Sequence, residues 1–111
     1  MRPIEITVDY AGAKTTDWWP LDVYTPNQVT SITVNKLSGT IDYSVQYTNE
    51  DPYDPAIAPA DLLVAAHPVA AFTNAIGSLT EFTDVLMRAV RVKINSGTGS
   101  VRITVVQQST A

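Results

Sequence analysis

Met87-Arg-Ala-Val-Arg-Val-Lys-Ile-Asn-Ser-Gly-Thr-Gly-Ser-Val-Arg-Ile-Thr-Val-Val-Gln107 decides the fold class of this 111-residue chain. Val90, Val92 and Ile94 alternate with Arg91 and Lys93, and Val101, Ile103 and Val105 alternate with Arg102 and Thr104. A period of two with β-branched residues on one face marks a strand buried on one side. Gly97 and Gly99 between the two runs supply the positive φ angles of a tight return, so the stretch reads as a β-hairpin. It also carries Arg88, Arg91, Lys93 and Arg102, four of the seven basic residues, and no acid.

The same period recurs outward from this stretch. Ile4, Ile6, Val8 and Tyr10 alternate with Glu5, Thr7 and Asp9, and Ile41, Tyr43, Val45 and Tyr47 alternate with Asp42, Ser44 and Gln46. Ile32 and Val34 before the Asn35–Thr40 segment complete a second expected hairpin, with Gly39 in its loop. Ala11 to Asp17 reads as a loop, and Pro20 to Tyr24 as a short strand opened by a proline, which lacks the ladder donor. Thr25-Pro26-Asn27-Gln28 reads as a turn.

From Asn49 to Asp61 three prolines and four acids in thirteen residues predict an irregular loop. Leu62 to Ala66 fits a helical turn or a short strand, Val69 to Ser78 a loop, and Thr80 to Leu86 the approach to the final hairpin. No segment keeps a period of 3.6. Short strands separated by turns, in one domain spanning 1–111, imply an all-β antiparallel sandwich of jelly-roll type.

Composition narrows function. A net charge of −4 argues against nucleic acid as a partner, since phosphate contacts need Lys and Arg. The most apolar run, Leu62 to Phe72, is broken by His67-Pro68 and is too short for a bilayer, so no membrane is expected. The N-terminus enters a strand at once, which reads as a soluble chain without an export signal. Cysteine is absent, which leaves the redox compartment open.

Charge is unevenly placed: residues 1–84 hold three bases and eleven acids, residues 85–111 four bases and no acid. Cross-strand pairing with acids inside the sheet is the first expectation, and presentation to a partner the second.

Catalytic chemistry has little to work with. His67 is the one histidine, set before a proline among Ala and Leu, and reads as a structural side chain. Ser96-Gly97-Thr98-Gly99-Ser100 lacks the following helix that a phosphate loop requires. Glu50, Asp51, Asp54 and Asp61 lack calcium-loop spacing and read as a solvated loop. Neither an enzyme, a metal nor a cofactor is expected. Trp18 and Trp19 point to opposite faces if they share a strand, so one at most joins the core there and its neighbour is left for an edge or a binding role.

Three stretches together resemble a known family: Met1-Arg-Pro-Ile-Glu-Ile6, Tyr43-Ser-Val-Gln-Tyr-Thr-Asn-Glu-Asp-Pro52 and Ala89 to Gln108. They look like the small capsid-decorating staple, or cement, proteins of short-tailed bacteriophages of the epsilon-fifteen type. Ala56 to Ser78 and the tryptophan pair lie outside the resemblance.

The resemblance implies a jelly-roll-like module on the outer capsid surface of the virion, made in the host cytoplasm. It would clamp neighbouring subunits of an HK97-type major capsid protein, self-associating as a dimer near two-fold positions. The expected partner-binding residues are Arg88, Arg91, Lys93, Arg102, Trp18 and Trp19. The alternative is a carbohydrate-binding module that holds a glycan during host attachment.

Overall fold

A computed structural model describes residues 4–21 and 28–109. It is mostly antiparallel sheet, in seven strands: β1 (Ile4–Ala11), β2 (Lys14–Thr15), β3 (Trp19–Pro20), β4 (Gln28–Thr48), β5 (Ala65–Ala66), β6 (Leu79–Thr83) and β7 (Ala89–Ser109). Two 3-10 turns, Pro59–Asp61 and Ala70–Phe72, are the helical elements of the described residues. None is long and apolar enough to cross a membrane.

The two expected hairpins do not form. β4 and β7 are each single strands of 21 residues, paired with one another from Gln28↔Ser109 to Thr48↔Ala89. Straight strands of that length would run roughly 65–70 Å at about 3.3 Å per residue, yet the longest axis of the molecule is 38 Å. Both strands therefore bend, and the glycines mark the corner. Gly39 lies opposite Gly99 and Gly97 opposite Ile41, with register shifts between Lys36 and Ser38 and between Asp42 and Tyr43.

Gly39, Gly97 and Gly99 have φ of 75°, 110° and 150°. A Cβ on Gly39 would overlap the Thr98 carbonyl oxygen, and one on Gly99 that of Ser38. The positive φ expected at Gly97 and Gly99 is present, but it turns a strand from one sheet into another and does not reverse the chain.

Counting the bent strands as two halves each yields two layers. One contains β1, the 98–109 half of β7, the 28–38 half of β4, and β6. The other contains β2 with β3, the 89–96 half of β7, the 39–48 half of β4, and β5. Numbered along the chain, those eight pieces run 1-8-3-6 and 2-7-4-5, the strand order of a jelly roll.

Facing follows the sequence pattern. Val90, Val92, Ile94, Val101, Ile103 and Val105 are buried in one core with Ile32, Val34, Ile41, Tyr43 and Val45. The Tyr43 hydroxyl donates to the Gly77 carbonyl at 2.9 Å, and burial pushes its pKa up to about 12.

Local expectations fare unevenly. Asn35 to Thr40 is continuous strand, not a loop. Leu62 to Ala66 resolves to the two-residue strand β5, and Lys14–Thr15 is a strand within the expected Ala11–Asp17 loop. The strand expected from Pro20 to Tyr24 is instead Trp19–Pro20, with Leu21 bonded from its N–H to the Arg88 carbonyl at 2.8 Å; Asp22 to Tyr24 lie outside the described residues. The expected Thr25–Gln28 turn also lies outside them, except that Gln28 opens β4.

Candidate functional site

The bend in β7 divides the basic residues. Arg91 and Lys93 project from the outer face of the second layer, because they alternate with the buried Val90, Val92 and Ile94. Arg102 projects from the outer face of the first layer, on the opposite side of the sandwich, between Thr7 and Asn35. Arg88 precedes β7 and pairs with Asp51 at 3.6 Å, both side chains being well exposed. The six expected residues are thus not one surface.

Trp18 and Trp19 separate as the alternation rule requires. Trp19 sits opposite Val90 and is buried at 8% exposure in the core. Thr16 fixes the segment before them: its N–H donates to the Val92 carbonyl and its hydroxyl accepts from the Val92 N–H, each at 3.0 Å. Trp18 is thereby laid on the outer face, where the Arg91 guanidinium lies 4.5 Å from its ring centroid. Arg91 Nε also donates to Gln46 Oε1 at 2.9 Å from the neighbouring strand. A cation over an indole face is attracted by the ring quadrupole, more strongly when water is excluded. Burial lowers the Arg91 pKa from its ordinary value.

Cross-strand acid pairing, the first expectation for the basic strand, is not what the sheet provides. Arg91 faces Gln46, Lys93 faces Ser44 and Thr15, and Arg102 faces Thr7 and Asn35. Among the described residues Arg88–Asp51 is the ion pair formed. Arg91 and Lys93 are therefore two cations on a flat polar face, beside a half-buried indole and without a carboxylate partner there.

The acidic loop packs beside this face. Asp51 accepts from the Tyr53 N–H and Asp54 from the Ala56 N–H, both at 2.9 Å, while Glu50 accepts from the Leu63 N–H at 3.1 Å. Three of its carboxylates thus hold loop backbone, and among the described residues no three His, Asp or Glu side chains gather as a metal site. The Tyr53 hydroxyl donates to the Trp18 carbonyl, which leaves the ring 60% exposed. With Pro20, Leu21, Pro52 and the Arg88–Asp51 pair it borders a cleft of about 210 Å³.

His67 lies beside the same strand, its N–H donating to the Val45 carbonyl at 3.0 Å, but its side chain is in the interior. It is buried at 3% exposure, packed edge-on against Phe72 with ring centroids 4.9 Å apart. Its Nδ1 accepts from the Val69 N–H at 3.1 Å, and Nε2 is buried without a partner. Burial lowers its pKa to about 4, so the ring is neutral near pH 7.

Gln46, Tyr53 and Asp51 complete this surface; Asp51 reads from the sequence as part of a solvated acidic loop and Tyr53 as one of the aromatics that invite a ligand, whereas Gln46 is not singled out there. Gln46 had a readable signal, since it is a polar position of an alternating strand. Its place opposite Arg91 required the long-range register. Comparison of the chain with known protein families, with curated proteins and with solved structures finds no match.

Proposed function

We propose that this chain is a non-catalytic docking module that decorates the outside of an assembled bacteriophage shell and bridges neighbouring subunits of an HK97-type major capsid protein. The observation that carries the reading is the outer face bearing Trp18, Arg91 and Lys93, two cations without a carboxylate partner beside an indole. Arg and Trp are the side chains that most often anchor protein interfaces, and uncompensated charge favours an acidic partner surface. The sequence resemblance supplies the identity of that partner. The jelly-roll architecture is compatible with it, being common to viral shell proteins and lectins, and does not by itself choose between them.

The energetics favour bridging. A 12.0 kDa domain split between two subunits offers each less than the roughly 800 Å² per partner of a standard interface. Once one subunit is held, the second is met at an effective concentration of about millimolar, so two weak contacts bind tightly together. A ligand of the assembled lattice alone then stabilises that lattice by mass action.

Cosedimentation with empty shells tests this. The Arg91→Glu/Lys93→Glu double variant should fold and lose binding, whereas Arg102→Glu, on the opposite face, should bind as the parent does. Particles lacking the chain should assemble but release their genome at lower temperature, and purified protein should restore heat resistance. Unchanged binding by the double variant would sink the reading.

The second reading, a glycan-binding module, is favoured by the exposed Tyr53 ring over the cleft with the Arg88–Asp51 pair. Tyr53→Ala would then remove binding in a glycan screen and leave capsid binding intact.

A further inference from the structure

β1 differs from every other edge of the sandwich. β2, β3 and β5 are two residues long, which leaves little backbone to pair with. β6 is five residues long, and Glu81, opposite the buried Ile32, places a carboxylate on its inward side, a device that discourages pairing. β1 has eight residues, no proline, and only Ile4, Ile6, Val8 and Tyr10 on its inward side.

Among the described residues only one edge of β1 is paired, with β7. Donors and acceptors alternate sides along an antiparallel strand. The Gly12 N–H donates to the Gly97 carbonyl at 2.8 Å, which sets the even positions toward β7 and turns the backbone of Glu5, Thr7 and Asp9 outward. Lys14 Nζ donates to the Asp9 carbonyl at 3.2 Å, occupying one of those outward acceptors with a side chain.

Alongside this edge the two layers part to leave a cleft of about 450 Å³. Ile6, Val8 and Trp19 form its apolar wall, and Asp9, Lys14 and Asp17 lie on its rim. A cleft of this size is in the range that holds several side chains.

We infer that β1 is an acceptor edge for an extended segment of another chain, one that adds a strand beside Glu5–Asp9, sets small apolar side chains into the cleft and carries Lys or Arg at the alternate positions. The backbone requirement follows from the outward amides, and the apolar one from the cleft wall. Charge selects the rest. Glu5 and Asp9 are exposed on the outer face of β1, with Asp17 on the rim, so a basic segment is complementary. A second copy of β1 would place four carboxylates on one face of two adjacent strands. The added strand displaces Lys14 from the Asp9 carbonyl, so Lys14 guards the empty edge. This inference stands whether or not the Arg91 face meets a capsid.

The probe is a short end-blocked peptide of alternating lysine and valine, titrated into the whole protein while amide hydrogen exchange is followed. Binding should protect the Glu5 and Thr7 amides, and the glutamate–valine counterpart should not bind. Thr7→Pro removes an outward donor and leaves the β1–β7 ladder intact, so it should weaken binding about tenfold or more. A Lys–Val peptide N-methylated on one backbone edge should be equally weakened, which decides the matter if Thr7→Pro does not fold. Glu5→Lys/Asp9→Lys should exchange the preference toward the acidic peptide.

Undiminished binding of the N-methylated peptide would reduce the effect to charge attraction and overturn the inference. So would a concentration-dependent dimer whose β1 amides are protected without peptide, since the edge would then belong to a second copy.

Discussion

The two flanks of the sandwich are finished in opposite ways. On the β5–β6 side, the chain between those strands crosses from one layer to the other and plugs the gap. Phe72 is fully buried, His67 packs edge-on to it, and Ala75 bonds Tyr43 in both directions at 2.7 and 2.9 Å. On the β1–β2 side nothing of the kind is described. The inward Ile4 and Ile6 are only half-buried, and a cleft opens against Trp19. One flank is interior made from a loop; the other, among the described residues, is left open. A flank that has been sealed should report its loss in stability, and an open one should report its occupation in binding.

The largest effect should come from removing the plug. Phe72→Ala deletes a fully buried ring and should cost about 3–5 kcal/mol in denaturant unfolding, a large share of a typical domain's total. A loss below about 1 kcal/mol would mean that the flank collapses to refill the space, and the contrast with the open side would fail.

Next is acid sensitivity on the same flank. The folded-state pKa of His67 is about 4, against an ordinary value of 6.5, so the unfolded chain binds the proton first. The contribution is complete above pH 6.5 and is lost as pH falls toward 4, at up to about 1.4 kcal/mol per pH unit within that window. Chemical unfolding at successive pH values should display this slope, and His67→Phe should remove that part of it. An unchanged slope in the variant would assign the acid sensitivity to other groups.

The open flank should respond weakly. Ile6→Ala trims a half-buried side chain beside the cleft and should cost about 1 kcal/mol, well below the plug variant, by the same unfolding measurement. Smallest of all, Lys14→Ala removes an exposed bond to the Asp9 carbonyl and should shift stability by less than about 0.5 kcal/mol. It should nevertheless tighten binding of the Lys–Val peptide, because the guard on the edge is gone. A strongly destabilised Lys14→Ala would recast that lysine as structural.

Much of this architecture was written locally. Alternation in Ile4–Tyr10, Ile41–Tyr47, Val90–Ile94 and Val101–Val105 reports which side chains enter the core, because burial on one face of a pleated strand imposes the period. Which strands meet is not a local property. Gly97 and Gly99 satisfy a tight return and a sheet corner equally well, since both need positive φ.

What distinguishes them is Gly39, at the matching place of the partner strand, where two backbones approach too closely for a Cβ. The spread of the basic residues over two faces has the same cause. Arg102 and Arg91 share a strand and a sequence pattern, yet the corner sends them to opposite faces. The loop carries a legible pattern of its own, as Asp51-Pro52-Tyr53 and Asp54-Pro55-Ala56 are one turn repeated, each aspartate capping the N–H two residues on.

The bent β7 has a consequence in time. It is central to both layers, lying between β1 and β4 in one and between β3 and β4 in the other, and it follows all of them along the chain. Neither layer has a middle until β7 arrives, and no strand of either pairs with its neighbour through a tight hairpin. During synthesis β1, β2 and β3 find their described partner only when β7 arrives, whereas β4 can already pair with β5 and β6, and closure must join segments as distant as Gln28 and Ser109. Topologies of that kind fold in about milliseconds to seconds, not microseconds. The late arrival of one strand completes both sheets together.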